Sequence, residues 1–510
     1  MSDKKTNILF LFSDEHSFRC MGHVSDENGG EDVFTPNFDE LARHGTVFNN
    51  TYCQVPLCTP SRISLFTGLD QAHSGAWTNN SYLRPELPTI AGTLRDNGYL
   101  TALVGKYHLG GSNQFGGFEH RPYGDLTGAC GHQWEPLTEP NTMEQRTLGA
   151  GVTGIPESLM QENMVTNETL AFLREQKYSK SEKPYFLCAS FSRPHFPLNA
   201  PKRFVDMYNP KKIAEPKVPA SGDAYNHPMS VGMRKGFKAD RIDHDEMMKA
   251  RSGYFANVSY MDELIGDLLV RMEKDGLLDN TIIIYSTDHG EMAGEHGVWW
   301  KNGWYEACSR VPLIISTPEQ RRGEQPCAQI DSLVGLYDLF PTLCGLTGTK
   351  FPDGLHGIDI SGAVQGKGKL PDDRPVFSDG LVPRWGEGTE YRMIRLGNYK
   401  YVTFRNAEPL MFDVVKDQGE QHNIIDSDLE EVKSFKAKFE KIVKETVDFE
   451  KSDAMRAADE EEKRLHPLKV KDGLKYSNLY IMPDCRVVTA DDELYRPNVA
   501  AEDYKDVFQI

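Results

Sequence analysis

Four apolar stretches of this chain stop abruptly at polar residues able to do chemistry, and that recurrence restricts the fold more than any other feature. Residues 7–12 run into Ser13-Asp14-Glu15-His16, and 100–104 into Gly105-Lys106-Tyr107-His108. Residues 185–190 lead to Ser192-Arg193-Pro194-His195, and 281–286 to Thr287-Asp288-His289. An uninterrupted apolar run, as opposed to an alternating one, is what a strand covered on both faces needs, the condition of parallel strands in an α/β sheet. Open sheets of that kind bind their ligands at the carboxyl ends of the strands. The four polar ends therefore predict one site assembled from distant parts of the sequence.

The intervening segments carry helix punctuation. Thr35-Pro36 opens a short helix that Gly45 closes, and 87–97, 156–177 and 245–274 read as helices, the last amphipathic and ended by Asp275-Gly276. Val47 and Phe48 lead a segment toward Cys58, and 333–348 reads as a helix under the sheet. Residues 111–156, rich in Gly, Pro, Asn and Thr, form a long excursion of the kind that shapes a pocket, and the basic stretch 200–240 is expected to cover the pocket from one side. A Gly- and Pro-rich boundary near 365–390 precedes three short antiparallel strands, at 391–395, 399–402 and 410–414, and a helix over 428–447. With 510 residues the chain exceeds one ordinary core. The expected division is a large domain over 1–385, a small sheet-plus-helix domain over 386–450 and an extension over 451–510. The acidic run 459–462 in that extension reads as a solvated face, and the extension itself is long enough to wrap a neighbouring copy in a homo-oligomer.

Composition narrows the function. A net charge of -18 argues against nucleic acid or an acidic membrane surface as partner, so an anionic substrate needs a local positive field. No apolar run is long enough to span a membrane, and no secretory signal precedes the strand at residue 7. Nine scattered cysteines are not a disulfide framework; together these features predict a cytoplasmic protein.

Individual residues keep two readings at this level. Asp14 is either a metal ligand or a turn cap. Lys106 and His108 share side-chain parity on an extended segment, so both face one site or both are solvated. Trp299, Trp300 and Trp304 either pack in the core or stack on a sugar. In Leu57-Cys58-Thr59-Pro60-Ser61-Arg62, Pro60 suits a first helical turn and Arg62 offers a fork of donors. Cys58 then sits at a helix N-terminus suited to an anion, or is a buried structural cysteine.

Cys58-Thr59-Pro60-Ser61-Arg62 with Thr67-Gly68 resembles the Cys-x-Pro-Ser-Arg modification motif of the type I sulfatases. Gly105-Lys106-Tyr107-His108-Leu109-Gly110, Pro194-His195, Asp288-His289 and Lys301 resemble further segments of that family, in family order. The resemblance implies an alkaline-phosphatase-like fold, a mixed α/β sheet sandwiched by helices with a smaller C-terminal antiparallel domain. It implies that Cys58 is oxidised by a formylglycine-generating enzyme to formylglycine, whose hydrate attacks sulfur with one hydroxyl and expels sulfate through the other. It further implies that Asp14, the modified Cys58, Asp288 and His289 hold Ca2+, with Mn2+ or Mg2+ open. Glu15 stands where the family often has a second Asp, which leaves its ligand role open. Arg62 and Lys106 are expected to steady the nucleophile and the sulfate, His108 to take the proton on collapse, and His195 and Lys301 to assist the departing alcohol. The implied substrate is a sulfated carbohydrate or small alkyl sulfate. Asp288-His289 resembles choline sulfatases and also phosphonate monoester hydrolases, so a phosphonate monoester or phosphodiester hydrolase remains an alternative, as does an inactive sulfoglycan-binding protein with unmodified Cys58. The whole Pro-Ser-Arg pattern, including Ser61, favours the sulfatase.

Overall fold

The computed structural model describes residues 5–111, 113–121, 147, 149–179, 181–465, 479–481 and 487–489. Most of the excursion after residue 111 and of the C-terminal extension lies outside the described residues, as do the pocket-shaping and oligomer-contact expectations attached to them.

The large sheet is built from β1 (Asn7–Asp14), β2 (Thr46–Tyr52), β3 (Leu100–Gly105), β4 (Tyr185–Pro194), β5 (Thr281–Thr287), β6 (Leu313–Ser316) and β7 (Ala328–Gly335). Its order is β7-β2-β6-β5-β1-β4-β3, with the two-residue strand Arg310–Val311 paired to β2 off this path. β6 runs antiparallel to both its neighbours while the other pairs along that path are parallel, so the sheet is mixed.

Side chains alternate across a strand, and β1 shows what an uninterrupted apolar run accomplishes. Ile8, Phe10 and Phe12 face one layer with helices α2 (Cys58–Thr67), α3 (Ile90–Asp96) and a helix over Leu339–Thr347, through Ile63, Phe66, Leu94 and Leu343. Leu9 and Leu11 face the other, with Leu41 on α1 (Pro36–Arg43), Leu173 on α4 (Gln161–Tyr178) and Ile265 on the 31-residue helix His244–Lys274. Each fully buried side chain of this size contributes about 1.5–3 kcal/mol, so the two layers hold the central strands rigidly.

The small sheet is a meander of β8 (Val376–Gly380), β9 (Tyr391–Leu396), β10 (Tyr399–Phe404) and β11 (Leu410–Asp413), antiparallel throughout. A helix over Glu430–Thr446 covers one face, with Phe439 stacked on Tyr401 at 5.3 Å. Its first strand, β8, lies within the stretch read from sequence as a boundary, and residues 333–335 end β7 instead of beginning a helix. The helix that follows starts at Leu339, after a short turn closed by the Asp338 carboxylate on the Gly335 N–H at 2.8 Å. The acidic run is partly docked, since Asp459, on the helix Phe449–Lys463, accepts from Trp77 Nε1 at 2.7 Å and pairs with Arg84. Among the described residues no helix is long and apolar enough to cross a membrane.

Candidate active site

Parallel register sets the site. Ser13 on β1 pairs with Thr287 on β5, Asp14 with Pro194 on β4, and Gly105 on β3 with Ser190 on β4, so the polar strand ends emerge side by side. Helix α2 supplies the remaining piece. Leu57 is extended, Cys58 is the first helical residue, Asn79 Oδ1 accepts from the Thr59 N–H at 3.1 Å, and Gly68 ends the helix in the left-handed region at φ 70°. Cys58 therefore stands at a helix N-terminus, where the free N–H groups favour an anion.

Its thiol is enclosed by the other strand ends. Cys58 Sγ is 3.3 Å from His289 Nε2 and 3.7 Å from Asp14 Oδ1, with all three side chains buried. Burial and Asp14 work to raise the thiol, but Lys301, Lys106 and His289 outweigh them and hold it well below the usual cysteine range. Lys106 Nζ reaches Asp14 Oδ2 at 2.7 Å. Burial opposes its charge, and Asp14 and Cys58 restore it above the usual lysine range.

Arg62 ties these strands together. Its Nε donates to Asp288 Oδ2 at 2.8 Å and its Nη2 to Asp14 Oδ2 at 2.9 Å, while Nη1 donates to Lys106 O and Ser190 Oγ at 2.9 and 3.0 Å. One guanidinium thus bonds to residues from the ends of all four strands named in the sequence. Ser61 adds a bond from Oγ to Asp288 O. Ser190 escaped the sequence reading, although it stands two residues before the Ser192-Arg193-Pro194-His195 cluster at the end of the same apolar run.

A second layer surrounds Glu15, whose φ of 66° places a non-glycine residue in the left-handed region beside the site. Its Oε1 pairs with Lys301 Nζ at 2.9 Å and its Oε2 approaches His195 Nε2 at 3.2 Å. Burial, only partly offset by Lys301, pushes its carboxyl up to about 8. His195 donates from Nδ1 to Phe196 O at 2.9 Å, and burial with the Lys301 charge pulls its imidazole down to about 3. The inward Nε2 therefore carries a lone pair, with Glu15 Oε2 and the Cys58 thiol as its neighbours. His108, also at positive φ, is fixed through its carbonyl, which accepts from Thr59 Oγ1.

Asp14, Cys58, Asp288 and His289 each offer one ligand atom, and these atoms all lie within 4.8 Å of one another. The donor set suits a divalent cation. Gly290 O can only accept, so His289 Nδ1 at 3.0 Å carries a proton and Nε2 is the ring atom turned to Cys58; burial opposes the ring's charge, but Asp288 and Cys58 push the imidazole up to about 9, and a bound cation would take the place of the Nε2 proton. Burial and the neighbouring Asp14 charge raise Asp288 to about 6, the strain of packing carboxylates that a cation relieves. The site thus gathers Asp14, Cys58, Arg62, Lys106, Asp288 and His289 in one contact network, with His195 and Lys301 joined to it through Glu15. Trp299, Trp300 and Trp304 are buried in the core, so the sugar-stacking reading of them falls.

A family model described as "Sulfatase" matches residues 6–349, and one described as "N-sulphoglucosamine sulphohydrolase, C-terminal" matches residues 294–447. The choline-sulfatase of Rhizobium meliloti (strain 1021) is 29% identical over 447 residues, covering 84% of each chain. Among solved structures, the phosphonate monoester hydrolase from Silicibacter pomeroyi superposes with a TM-score of 0.70 at 20% identity, over 87% of this chain and 96% of that one. A protein solved in complex with its substrate D-glucosamine-2-N,6-O-disulfate superposes with a TM-score of 0.69 at 23% identity, over 88% of this chain and 100% of that one.

Proposed function

The chain belongs to the sulfatase family and is a sulfuric ester hydrolase, and from that premise we propose that it cleaves sulfate monoesters through formylglycine made from Cys58. The observation that carries this reading is the setting of Cys58: the first residue of a buried helix, 3.3 Å from His289, flanked by Lys106 and Lys301. Hydrated formylglycine supplies a nucleophilic hydroxyl and a second one whose deprotonation releases sulfate.

The residues divide the work as follows. Asp14, Asp288, His289 and residue 58 would hold the divalent cation, Ca2+ by its preference for hard oxygen donors, with Mn2+ suited to the imidazole and Mg2+ also open, and such an ion would supply polarisation of a sulfate oxygen. Lys106 and Lys301 remain ammonium ions and steady the ester's negative charge. His195, with Nε2 3.2 Å from Glu15 Oε2, and Lys301, an ammonium ion 2.9 Å from Glu15 Oε1, would assist the departing alcohol. Glu15 Oε1 faces Lys301 and Oε2 faces His195, and with Asp14 and His195 it also offers a second set of ligand atoms, so Glu15 stands where it can position Lys301 or serve the cation. Arg62 spends its donors on Asp14, Asp288, Lys106 and Ser190, which supports a bracing role in place of a sulfate contact. His108, next to Thr59 through its carbonyl, is kept as the base for sulfate release.

Oxidation of Cys58 needs a formylglycine-generating enzyme as partner. The seven described cysteines are all free thiols, which supports a reducing, cytoplasmic setting. The fold likeness to a phosphonate monoester hydrolase supports a second reading, diester hydrolysis on the same site. Mass spectrometry of the Cys58 peptide from the native host is expected to show the aldehyde or its hydrate. On that material kcat/KM is expected to favour sulfate monoesters over phosphonate or phosphate diesters of the same leaving group. An active preparation with only thiol at Cys58 would refute the nucleophile; a preference for the diester would install the second reading.

A further inference from the structure

Arg384 lies on the segment between β8 and β9, with its side chain exposed and its guanidinium 5.3 Å from the centre of the Trp385 ring. That neighbour fixes where the segment lies. Trp385 Nε1 donates to Asn302 O at 2.7 Å, and the Asn302 N–H donates to Pro56 O at 2.9 Å. Two hydrogen bonds therefore connect the Arg384 segment, through the residue after Lys301, to the loop two residues ahead of Cys58.

The anchor is packed as well as bonded. Gly232 and Gly236 stand one turn apart on the helix Pro228–Phe237, and a Cβ at either would run into Trp385. The indole meets Phe237 at 4.6 Å between ring centroids, and Phe237 meets Trp300 at 4.8 Å. The basic stretch that the sequence placed over the pocket thus holds the Arg384 segment against the residues around Lys301.

The charges around Arg384 are unusual for this chain. Arg374, Arg392 and Arg405 of the same region each pair with a carboxylate, on Asp338, Asp379 and Glu390 respectively. Among the described residues no ion pair is formed by Arg384. The charge that acts on its guanidinium is that of residue 58. In a chain with 75 acidic against 57 basic residues, an arginine left without an acid partner beside the nucleophile is a site held open for an anion from outside.

We propose that Arg384 forms an anion subsite beside the reacting sulfate and takes a second acidic group of the substrate, a carboxylate or a further sulfate carried on a sugar. The planar guanidinium fork matches either group with two parallel hydrogen bonds. The same positive charge repels the quaternary ammonium of choline sulfate. This inference rests on the sulfatase reading above and narrows its substrate class.

The test compares formylglycine-bearing protein with its Arg384→Gln and Arg384→Lys variants on four esters: a 2-O-sulfated uronide, glucosamine 2-N,6-O-disulfate, 4-nitrophenyl sulfate and choline sulfate. The ratio of kcat/KM for a doubly anionic sugar over 4-nitrophenyl sulfate is expected to fall about 10- to 100-fold with Arg384→Gln and to recover in part with Arg384→Lys. The sugar whose ratio falls further identifies the anion as carboxylate or sulfate. Ratios that stay level for both sugars would overturn the subsite, as would a kcat/KM for choline sulfate above both sugars in the unchanged protein. Calorimetric binding of the desulfated uronide and of 6-desulfated glucosamine 2-N-sulfate needs no turnover and separates the two hypotheses. If no sulfate ester is hydrolysed the sulfatase reading fails, and the affinities then decide Arg384 alone: an about tenfold loss in the Gln variant for either ligand supports it, and unchanged affinity for both refutes it.

Discussion

Of the clusters of buried charge in this protein, two are balanced differently. At the junction of the sheets, Lys400 reaches Glu306 and Glu420 at 2.6 Å each and donates to Trp304 O at 2.9 Å. Glu306 also accepts from Tyr52, which accepts in turn from Arg395 Nε at 2.7 Å, and Glu420 takes the Glu306 N–H at 2.8 Å. Nothing in that cluster calls for a ligand. At the strand ends, Asp14, Asp288, Glu15 and Cys58 crowd together, and both Glu15 oxygens and Lys301 Nζ are buried without a hydrogen bond, whereas Lys400, Glu306 and Glu420 all make theirs. A buried charge network that satisfies itself braces the fold, whereas one left strained marks where an ion or a substrate belongs.

The sharpest way to separate the two is to remove a carboxylate from the strained cluster. Asp288→Ala is expected to lower kcat/KM by about 10^4-fold, equivalent to about 5 kcal/mol, and to release the metal from a chain that still folds, with a lower thermal midpoint because Arg62 loses one of its two carboxylates. Kinetics, elemental analysis and calorimetry on one preparation check it; a lost fold with retained metal would merge the clusters into one kind. The converse is Lys400→Met, which leaves Glu306 and Glu420 without their shared cation. It is expected to cost about 3–5 kcal/mol in urea unfolding while the folded fraction keeps its kcat.

The smallest effect is in acid. Burial opposes the Glu306 charge, but Lys400, Arg395 and Arg310 hold its carboxyl down at about 2, below the reference value of 4.5. The folded state then binds fewer protons than the unfolded one, so this stabilisation is complete above pH 4.5 and is lost as pH falls through about 2. Glu420, raised to about 7, acts in the opposite sense and withdraws stability as pH rises through that value. Glu306→Gln is expected to flatten the acid limb by about 2 kcal/mol, read from unfolding midpoints in a pH series. An unchanged limb would mean that the junction carries no acid-sensitive stability.

The sequence disclosed the strained cluster far better than the balanced one. Asp14, Lys106, His195 and Asp288 follow uninterrupted apolar runs, so their placement is written in short-range pattern, and Cys58-Thr59-Pro60-Ser61-Arg62 is contiguous. Lys400, Glu306 and Glu420 lie on three segments and meet only through the packing of one sheet on the other, which no local pattern encodes. The edge strand β7 was hidden for a related reason: Gln329, Asp331 and Ser332 face solvent, so it lacks the apolar run that betrayed the central strands. Arg62 was recognisable as a site residue, but its use as a brace was not, because an arginine's role depends on which acids arrive beside it. Arg384 gave no signal at all before the fold placed Trp385 against Asn302.

Arg62 has one further consequence, which concerns time. It and its partner Asp288 are 226 residues apart in the chain. At about 5–20 residues per second, a ribosome needs roughly 10–45 s to make that stretch. Until then the brace lacks an end, and β5, which lies between β1 and β6 in the sheet, is missing. Contacts of such long sequence separation also form slowly once the chain is complete. Cys58, only 1% exposed in the finished fold, is therefore presented to the cell as an open segment while those residues are made, and an enzyme that must reach its thiol works within that interval.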